Sequence, residues 1–177
     1  LELIKKLQLR NPIFLAGHSF GGRIAIKIAA HHPALVKKLI LIDSAGVSER
    51  NTWKEQALRL LTKIGKPILK LPGLKKIEPK LRKILYTLIG SEDYFHAVAL
   101  RETFVKIIEE DLTPLLSKIQ TETLILWGFD DRVTPLADAG KLKRGIQNSK
   151  LEVLDDAGHF CFLDQPEKFQ QIFLSFL

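Results

Sequence analysis

This sequence contains no methionine, a single cysteine and no long apolar run. The one cysteine, Cys161, cannot form a disulfide within the chain, so folding does not depend on oxidation and a reducing, cytoplasmic environment is expected. No apolar run approaches the roughly 20 residues that span a membrane, so stable membrane insertion is not expected. No group of His and Cys residues has the spacing of metal ligands, and no metal site is predicted.

The chain does contain enough apolar sequence for a folded domain. Of its 177 residues, 46% are hydrophobic, which is sufficient to bury a sizeable core. Its charge is uneven, because residues 50–90 hold eleven Lys and Arg residues and two Glu residues, whereas the whole chain carries a net charge of only +7. Such a basic window can attract anionic partners. Aromatic residues are scarce there and no nucleic-acid motif is present, so the pattern favours a solvated helical face without a nucleic-acid partner.

One stretch, GHSFGG at residues 17–22, lies between the apolar run Ile13–Ala16 and a helical pattern. This order predicts a strand, a sharp turn and a helix, with Ser19 at the turn. A tight reversal strains the backbone of its central residue, and small neighbours such as Gly17 and Gly21 provide the room. The start of the following helix would direct unpaired N–H groups at negative charge that develops near the serine. The simpler alternative is that Ser19 only caps this helix.

The rest of the chain alternates short apolar strands with amphipathic helices. Wholly apolar strands are typical of a parallel sheet that is covered on both faces, and a strand, helix and strand in this order predict a right-handed parallel crossover. The predicted strands are Ile13–Ala16, Lys38–Asp43, Thr123–Trp127 and Leu151–Leu154, and the predicted helices are Glu2–Leu9, Arg23–His31, Leu136–Ile146 and Pro166–Leu177.

A different pattern separates the second predicted strand from the third. From about Gly46 to Leu116, helical apolar stripes are interrupted by prolines, and Ser91 is a candidate start for the last of these helices. We therefore predict a helical insertion, residues 46–116, between two parts of an α/β core, residues 1–45 and 117–177.

Three polar residues that follow predicted strands are of the types that nucleophilic catalysis requires. Ser19 follows the first strand, Asp131 the third and His159 the fourth. A serine hydroxyl is a poor nucleophile at neutral pH, so it needs an imidazole base, and the imidazole needs a carboxylate that fixes its tautomer. Open α/β sheets place functional groups at the carboxyl ends of their strands, where all three residues are predicted to lie.

The pattern G-x-S-x-G, followed by a second glycine, resembles the nucleophile elbow of the α/β-hydrolase family. WGFDD at residues 127–131 is similar to the acid loop of that family, and AGHF at residues 157–160 is similar to its histidine loop. The chain order Ser, Asp, His also matches the family. The resemblance implies an α/β fold with a parallel sheet, flanking helices and a helical cap or lid in the place of the insertion.

The resemblance also implies the roles of individual residues. Ser19 is expected to be the nucleophile, His159 the base and then the acid, and Asp131 the residue that orients His159. The backbone N–H of Phe20 is expected to be one oxyanion donor, and no cofactor is implied. The expected reaction is hydrolysis of a small carboxylic ester, and the alternative reaction within the same fold is hydrolysis of a carbon–carbon bond. The alternative from another class is a non-catalytic binding scaffold.

The family places further elements upstream of the elbow. Two strands of its sheet precede the elbow strand, and a His-Gly loop supplies the second oxyanion donor. Because the chain opens at Leu1 without them, it is expected to be the carboxyl-terminal part of the fold, and any signal peptide would belong to the missing segment.

Several other residues compete for these roles. Asp43 also ends a predicted strand and stays open as an alternative acid, whereas Asp130 is expected to brace its own loop through backbone amides. If the first strand alternates, His18 points away from the serine. Cys161 is expected to pack as a small apolar residue. The remaining histidines, expected to be solvated or packed, are His31, His32 and His96.

Overall fold

The computed structural model describes residues 1–9, 12–47 and 101–177. The chain divides into two compact units, one formed by Leu1–Ser48 with Asp111–Leu177 and the other by Glu49–Glu110. The described elements are α1 (Glu2–Lys6), β1 (Ile13–His18), α2 (Phe20–His31), a 3₁₀ turn (Pro33–Leu35), β2 (Val36–Ile42), α3 (Arg101–Glu109), α4 (Thr113–Leu116), β3 (Glu122–Gly128), α5 (Leu136–Gly145), β4 (Ser149–Leu154), α6 (Cys161–Asp164) and α7 (Pro166–Phe176).

The four described strands form one parallel sheet in the order β1-β2-β3-β4. Leu39 in the middle of β2 lies beside Leu15 of β1 and Thr123 of β3, and Leu126 of β3 lies beside Glu152 of β4. The predicted α/β fold with a parallel sheet is confirmed. Because all four strands run in the same direction, their carboxyl ends meet at one edge of the sheet, which is where a site can assemble.

Apolar side chains of the central strands alternate between two buried clusters, one on each face of the sheet. Leu39 and Leu41 of β2 pack in the cluster that contains residues of α2 and α5. Ile40 and Ile42 of the same strand pack in the other cluster, against the aromatic side chains of α7. This is why β2 and β3 are wholly apolar: burial on both faces removes the polar alternation that a half-exposed strand would show.

The first unit consists of two stretches of chain, and the end of the first stretch packs against the start of the second. The N–H of Leu112 donates to the carbonyl of Gly46 at 2.9 Å, and Leu112 and Leu116 are buried in the same cluster as α2. Residues 111–116, which the sequence pattern assigned to the insertion, therefore pack in the core unit. Residues 48–100, with Ser91, lie outside the described residues, and the assignment of a cap stays a prediction.

The amino-terminal helix is shorter than predicted. It was expected to extend to Leu9 but ends at Lys6, because Gln8 adopts a left-handed conformation (φ 51°) that a helix does not accommodate. The leucines of this segment are largely exposed: Leu3 by 67% and Leu7 by 58%.

Strand β1 has a neighbouring strand on one side only within the described residues. Phe14, in the middle of this strand, is 46% exposed, and Ala16 on the same face is also exposed. An apolar edge strand with unpaired backbone groups is a template for association with another chain.

From this edge we expect the 177-residue chain, made alone, to be oligomeric or aggregated. Sizing chromatography measures this. Phe14→Lys is expected to reduce association, because a charge on an edge strand opposes pairing, whereas Gln170→Lys adds the same charge on α7 and is not. A monomeric 177-residue product would contradict the prediction.

Candidate active site

Ser19 lies at the turn between β1 and α2, and its backbone is in the strained conformation that the sequence predicted. Its φ and ψ are 51° and −117°, a region that residues other than glycine rarely occupy. Such strain costs about 1–3 kcal/mol and persists only where the surroundings fix it. Here the Ser19 N–H donates to the carbonyl of Ile42 at 3.0 Å, and the Ser19 carbonyl accepts from the N–H groups of Gly22 and Ala45.

The glycines around Ser19 contribute unequally to this turn. A Cβ atom at Gly17 would lie 2.5 Å from the backbone oxygen of Gly21, so only glycine fits at residue 17. At Gly21, which was expected to provide room as well, a Cβ would meet no described atom within 4 Å. That expectation was wrong, because the tight approach is between the end of β1 and the first turn of α2, and Gly21 contributes only its backbone to it.

The Ser19 hydroxyl does not cap the helix that follows it. Helix α2 begins at Phe20, and Ser19 makes no side-chain capping hydrogen bond. Its Oγ instead lies 3.0 Å from Nε2 of His159. The alternative in which Ser19 serves only as a cap is therefore wrong.

The loop that contains His159 is held by hydrogen bonds on both sides of this residue. Before His159, the loop that follows β3 bonds to it: the Phe129 N–H donates to the Leu154 carbonyl and the Asp130 N–H donates to the Ala157 carbonyl, each at 2.9 Å. Beyond it, the Asp164 carboxylate accepts from the Gly158 N–H at 2.8 Å. These bonds fix the backbone on either side of the imidazole.

The two loops approach each other closely at Gly128. A Cβ atom there would lie 2.2 Å from the carbonyl oxygen of Gly158 and 2.5 Å from that of Ala157. Only glycine therefore allows the end of β3 to lie against the histidine loop.

Asp131 faces the other nitrogen of the same imidazole. Its Oδ2 is 2.8 Å from Nδ1 of His159, and its Oδ1 accepts from the N–H groups of Val133 and Thr134 at 2.7 and 2.9 Å. Burial by itself raises the pKa of Asp131. Hydrogen bonds from the Thr134 hydroxyl, from His159 and from the two N–H groups outweigh it and hold the pKa below its ordinary value. Asp131 is therefore an ionised carboxylate at neutral pH.

The structure thus brings three of the predicted site residues into one chain of hydrogen bonds, from Asp131 through His159 to Ser19. His159 is mostly buried, with 12% of its side chain exposed, and the Asp131 side chain is fully buried. In this arrangement an imidazole lies between a hydroxyl and a fixed carboxylate, which is the geometry that activates a serine. Phe20, the predicted oxyanion donor, is the first residue of α2.

Asp43, the alternative acid, has a different set of contacts. It follows β2 with a positive φ of 41°, is fully buried, and its Oδ1 accepts from the Gly128 N–H at 2.8 Å. Burial raises the pKa of Asp43, and the Cys161 thiol and the Gly128 N–H only partly offset this. Asp43 therefore connects the ends of β2 and β3, whereas Asp131 contacts Nδ1 of His159.

Asp130 was expected to brace its own loop by accepting hydrogen bonds from backbone amides, and that expectation was wrong. Its side chain is exposed, and its backbone N–H makes the contact with the histidine loop. The residue whose carboxylate accepts backbone amides is Asp131, because the loop turns so that its Oδ1 faces the N–H groups two and three residues ahead.

His18 lies beside the site, and the expectation that it points away was wrong. Its ring centroid is 4.9 Å from that of His159, and its Nε2 lies 2.8 Å from the His159 carbonyl oxygen. It also contacts the rings of Phe160 and Phe162. Strand alternation did not reveal this because the contact comes from the histidine loop, which folds over the end of β1.

The other competing residues match their expected environments where the structure describes them. His31 and His32 are exposed at the end of α2, and His96 lies outside the described residues. Cys161 is buried in the cluster under α7, and burial together with the neighbouring Asp43 raises the pKa of its thiol, so the thiol stays protonated.

Sequence reasoning missed one residue that contacts this chain of hydrogen bonds directly. The Thr134 hydroxyl lies 2.5 Å from Oδ2 of Asp131. The available signal was the spacing Asp-x-x-Thr in the loop after β3, a spacing at which a threonine can bond to a preceding carboxylate.

Neither a metal cluster nor a membrane-spanning helix is found in the described part of the chain. Among these residues no group of three or more His, Cys, Asp or Glu side chains is arranged to hold a metal ion. Within the same ranges, no helix combines the length and the apolar composition that crossing a membrane requires.

Comparison with known sequences places this site in a family context. The sequence model described as the alpha/beta hydrolase family matches residues 1–171. The AB hydrolase superfamily protein YisY of Bacillus subtilis is 32% identical, over 98% of this chain and 69% of its own length. A monoacylglycerol lipase of Bos taurus is 29% identical, over 99% of this chain and 58% of its own length.

A further relative and a solved structure extend the comparison. The 2-hydroxy-6-oxononadienedioate/2-hydroxy-6-oxononatrienedioate hydrolase of Escherichia coli is 27% identical, over 93% of this chain and 62% of its own length. The crystal structure of a serine hydrolase involved in carbazole degradation superposes with a TM-score of 0.67 at 24% identity. It is matched over 99% of this chain and 67% of its own length, and it shows the same fold. The chain thus spans 58–69% of the length of these three relatives.

Proposed function

Because this chain belongs to the alpha/beta hydrolase family, we propose that it contributes the catalytic residues of a serine hydrolase that acts on small carboxylic esters through an acyl-enzyme. The observation that carries the proposal is the position of His159, with Nε2 3.0 Å from the Ser19 hydroxyl and Nδ1 2.8 Å from the Asp131 carboxylate.

In the proposed first step, Nε2 of His159 takes the hydroxyl proton while Oγ of Ser19 bonds to the ester carbonyl carbon. The ionised Asp131 keeps a proton on Nδ1 and stabilises the imidazolium that forms. The carbonyl oxygen becomes an oxyanion, and the N–H of Phe20 is one proposed donor to it.

The second half of the proposed reaction uses the same groups in reverse. The imidazolium gives its proton to the departing alcohol as the carbon–oxygen bond breaks, which leaves an acyl group on Ser19. Water then attacks this acyl group while His159 takes one water proton. The proton passes to Oγ of Ser19 as the acid is released, and the site returns to its starting state.

Apolar side chains next to the site residues support the proposal that the acyl group of the substrate is apolar. Phe129 is 56% exposed and Val133 68% exposed on the acid loop, and Phe160, which follows His159, is 51% exposed. Apolar side chains at this edge of the sheet would favour a hydrocarbon chain over a charged one. The relative described as a monoacylglycerol lipase points in the same direction.

A second candidate is hydrolysis of a carbon–carbon bond in an unsaturated oxo acid. It is favoured by the Escherichia coli relative that is described as a hydrolase of such acids. The two candidates differ in the leaving group, which is an alkoxide for an ester and a carbanion for an oxo acid.

A substrate panel on the gene product that carries this chain separates the two candidates. We expect hydrolysis of p-nitrophenyl esters with acyl chains of two to eight carbons, and slower hydrolysis of a 2-hydroxy-6-oxo-dienoic acid. The release of nitrophenol and the loss of dienol absorbance are the two measurements. A reversed preference would favour the second candidate, and a folded protein that acts on neither would favour the scaffold.

A further inference from the structure

The Thr134 hydroxyl lies where three groups of the site meet. Its Oγ1 is 2.5 Å from Oδ2 of Asp131, 3.1 Å from the carbonyl oxygen of Asp43 and 3.3 Å from Nδ1 of His159. Thr134 is buried, and its own backbone is fixed on both sides, since its N–H donates to Oδ1 of Asp131 and its carbonyl accepts from the indole N–H of Trp127 at 2.8 Å. The hydroxyl is therefore held in place by groups that do not depend on it.

A threonine hydroxyl has one proton, and the distances indicate where it goes. Oδ2 of Asp131 is the nearest acceptor and is charged, so the shortest bond is a hydroxyl donating to a carboxylate. The lone pairs of the same oxygen then face the N–H at Nδ1 of His159, which donates mainly to Oδ2. Thr134 thus contacts both members of the Asp131–His159 pair.

We infer that Thr134 is a positioning residue, whose hydroxyl keeps the buried Asp131 carboxylate ionised and aligned on Nδ1 of His159. Two backbone N–H groups fix only Oδ1. The oxygen that faces the imidazole, Oδ2, has the Thr134 hydroxyl as its other described partner. The role in catalysis rests on the proposed function, whereas the role in setting the protonation of the pair does not.

The direction of the effect follows from which form the hydroxyl stabilises. It donates to the ionised carboxylate, so its removal leaves Oδ2 a stronger acceptor for the proton of the pair. The Asp131–His159 pair should then take up its proton at a higher pH. In the described part of the chain, the titratable groups that face the pair are Asp43 after β2, His18 at the end of β1 and Cys161 on α6. All three are unchanged in the variants below.

Thr134→Val and Thr134→Ser form a matched pair of variants in the gene product that carries this chain. Valine has the shape of threonine without the hydroxyl, and serine keeps the hydroxyl without the methyl group. Both retain the backbone bonds to Asp131 and Trp127. We expect Thr134→Val to lower kcat for ester hydrolysis by about 10- to 100-fold with little change in KM, since a hydrogen bond to a charged group is lost. Thr134→Ser is expected to stay within about threefold of the parent protein.

The readout that does not require activity is the titration of His159 by NMR, assigned by comparison with His159→Gln. We expect the midpoint in Thr134→Val to move to higher pH, together with the acid limb of kcat/KM, and the midpoint in Thr134→Ser to stay in place. A midpoint in Thr134→Val that is unchanged or lower, or a serine variant that behaves like the valine variant, would overturn the inference. If the parent protein hydrolyses no ester, the proposed function fails, and the NMR titration still decides the role of Thr134.

Discussion

Ser19→Ala is expected to lower kcat for ester hydrolysis by about 10⁶-fold, the size of loss seen when the nucleophile of a serine hydrolase is removed. The physical reason is that Ser19 Oγ is the atom 3.0 Å from Nε2 of His159. Without it the imidazole has no hydroxyl to activate. Among the serines that the structure describes, only Ser19 has a positive φ, so none of the others is placed at such a turn to substitute for it.

The measurement is labelling by a fluorophosphonate probe, read beside the hydrolysis of a p-nitrophenyl ester. The gene product that carries this chain should label, and its Ser19→Ala variant should not. Ser117→Ala is the matched control, because Ser117 is exposed and precedes the amino end of β3, opposite the site, and this variant should label like the parent. Undiminished labelling of Ser19→Ala would show that another residue is the nucleophile.

Asp131→Asn is expected to reduce kcat by about 10⁴-fold, whereas Asp43→Asn is expected to stay within about tenfold of the parent. An amide at residue 131 can donate a proton to Nδ1, so the imidazole would present the wrong tautomer to Ser19. It would also place its NH₂ group against the hydroxyl of Thr134 or against two backbone N–H groups, where the carboxylate now accepts.

Asp43→Asn should be tolerated for three reasons. Asparagine accepts the Gly128 N–H through its side-chain oxygen, as the carboxylate does now. It also occupies positive φ values such as the 41° of Asp43 more readily than most residues. Finally, it removes a buried acid whose pKa is raised by that burial and which therefore resists ionisation.

Both variants should be compared by kcat, by KM and by thermal unfolding, so that a loss of folding is not read as a loss of catalysis. Asp130→Asn, at an exposed position one residue before Asp131, is the control for changing a charge in the same loop. If Asp43→Asn loses far more kcat than Asp131→Asn while both stay folded, the acid of the reaction is Asp43.

The parallel sheet could be read from the sequence because its cause is local. The apolar residues at 39–42 and 124–127 leave no polar face, and only a sheet covered on both sides accommodates such strands. The turn at Ser19 was also predictable, because a glycine such as Gly17 between a strand and a helix leaves room for a tight reversal of the backbone. The order of Ser19, Asp131 and His159 along the chain needed no structure either.

Element ends were predicted less well than the elements themselves. Helix α2 begins at Phe20, earlier than the apolar pattern indicated, because Ser19 turns directly into the helix. Residues 111–116 resemble the helical segments before them in sequence, yet Leu112 and Leu116 are buried beside α2. Packing, which the periodicity of a segment does not encode, decided these boundaries.

The sequence by itself determined which chemical groups reach the carboxyl edge of the sheet, because each follows a strand that could be recognised. Only the tertiary structure decided which of them touch. Asp43 and Asp131 both end up buried at that edge, but Asp43 bonds to Gly128 and Asp131 to His159. The contacts of His18 and Thr134 with His159 likewise join residues 141 and 25 positions apart. Contacts of this kind depend on how separate loops fold over one another, and no local pattern in the chain records that.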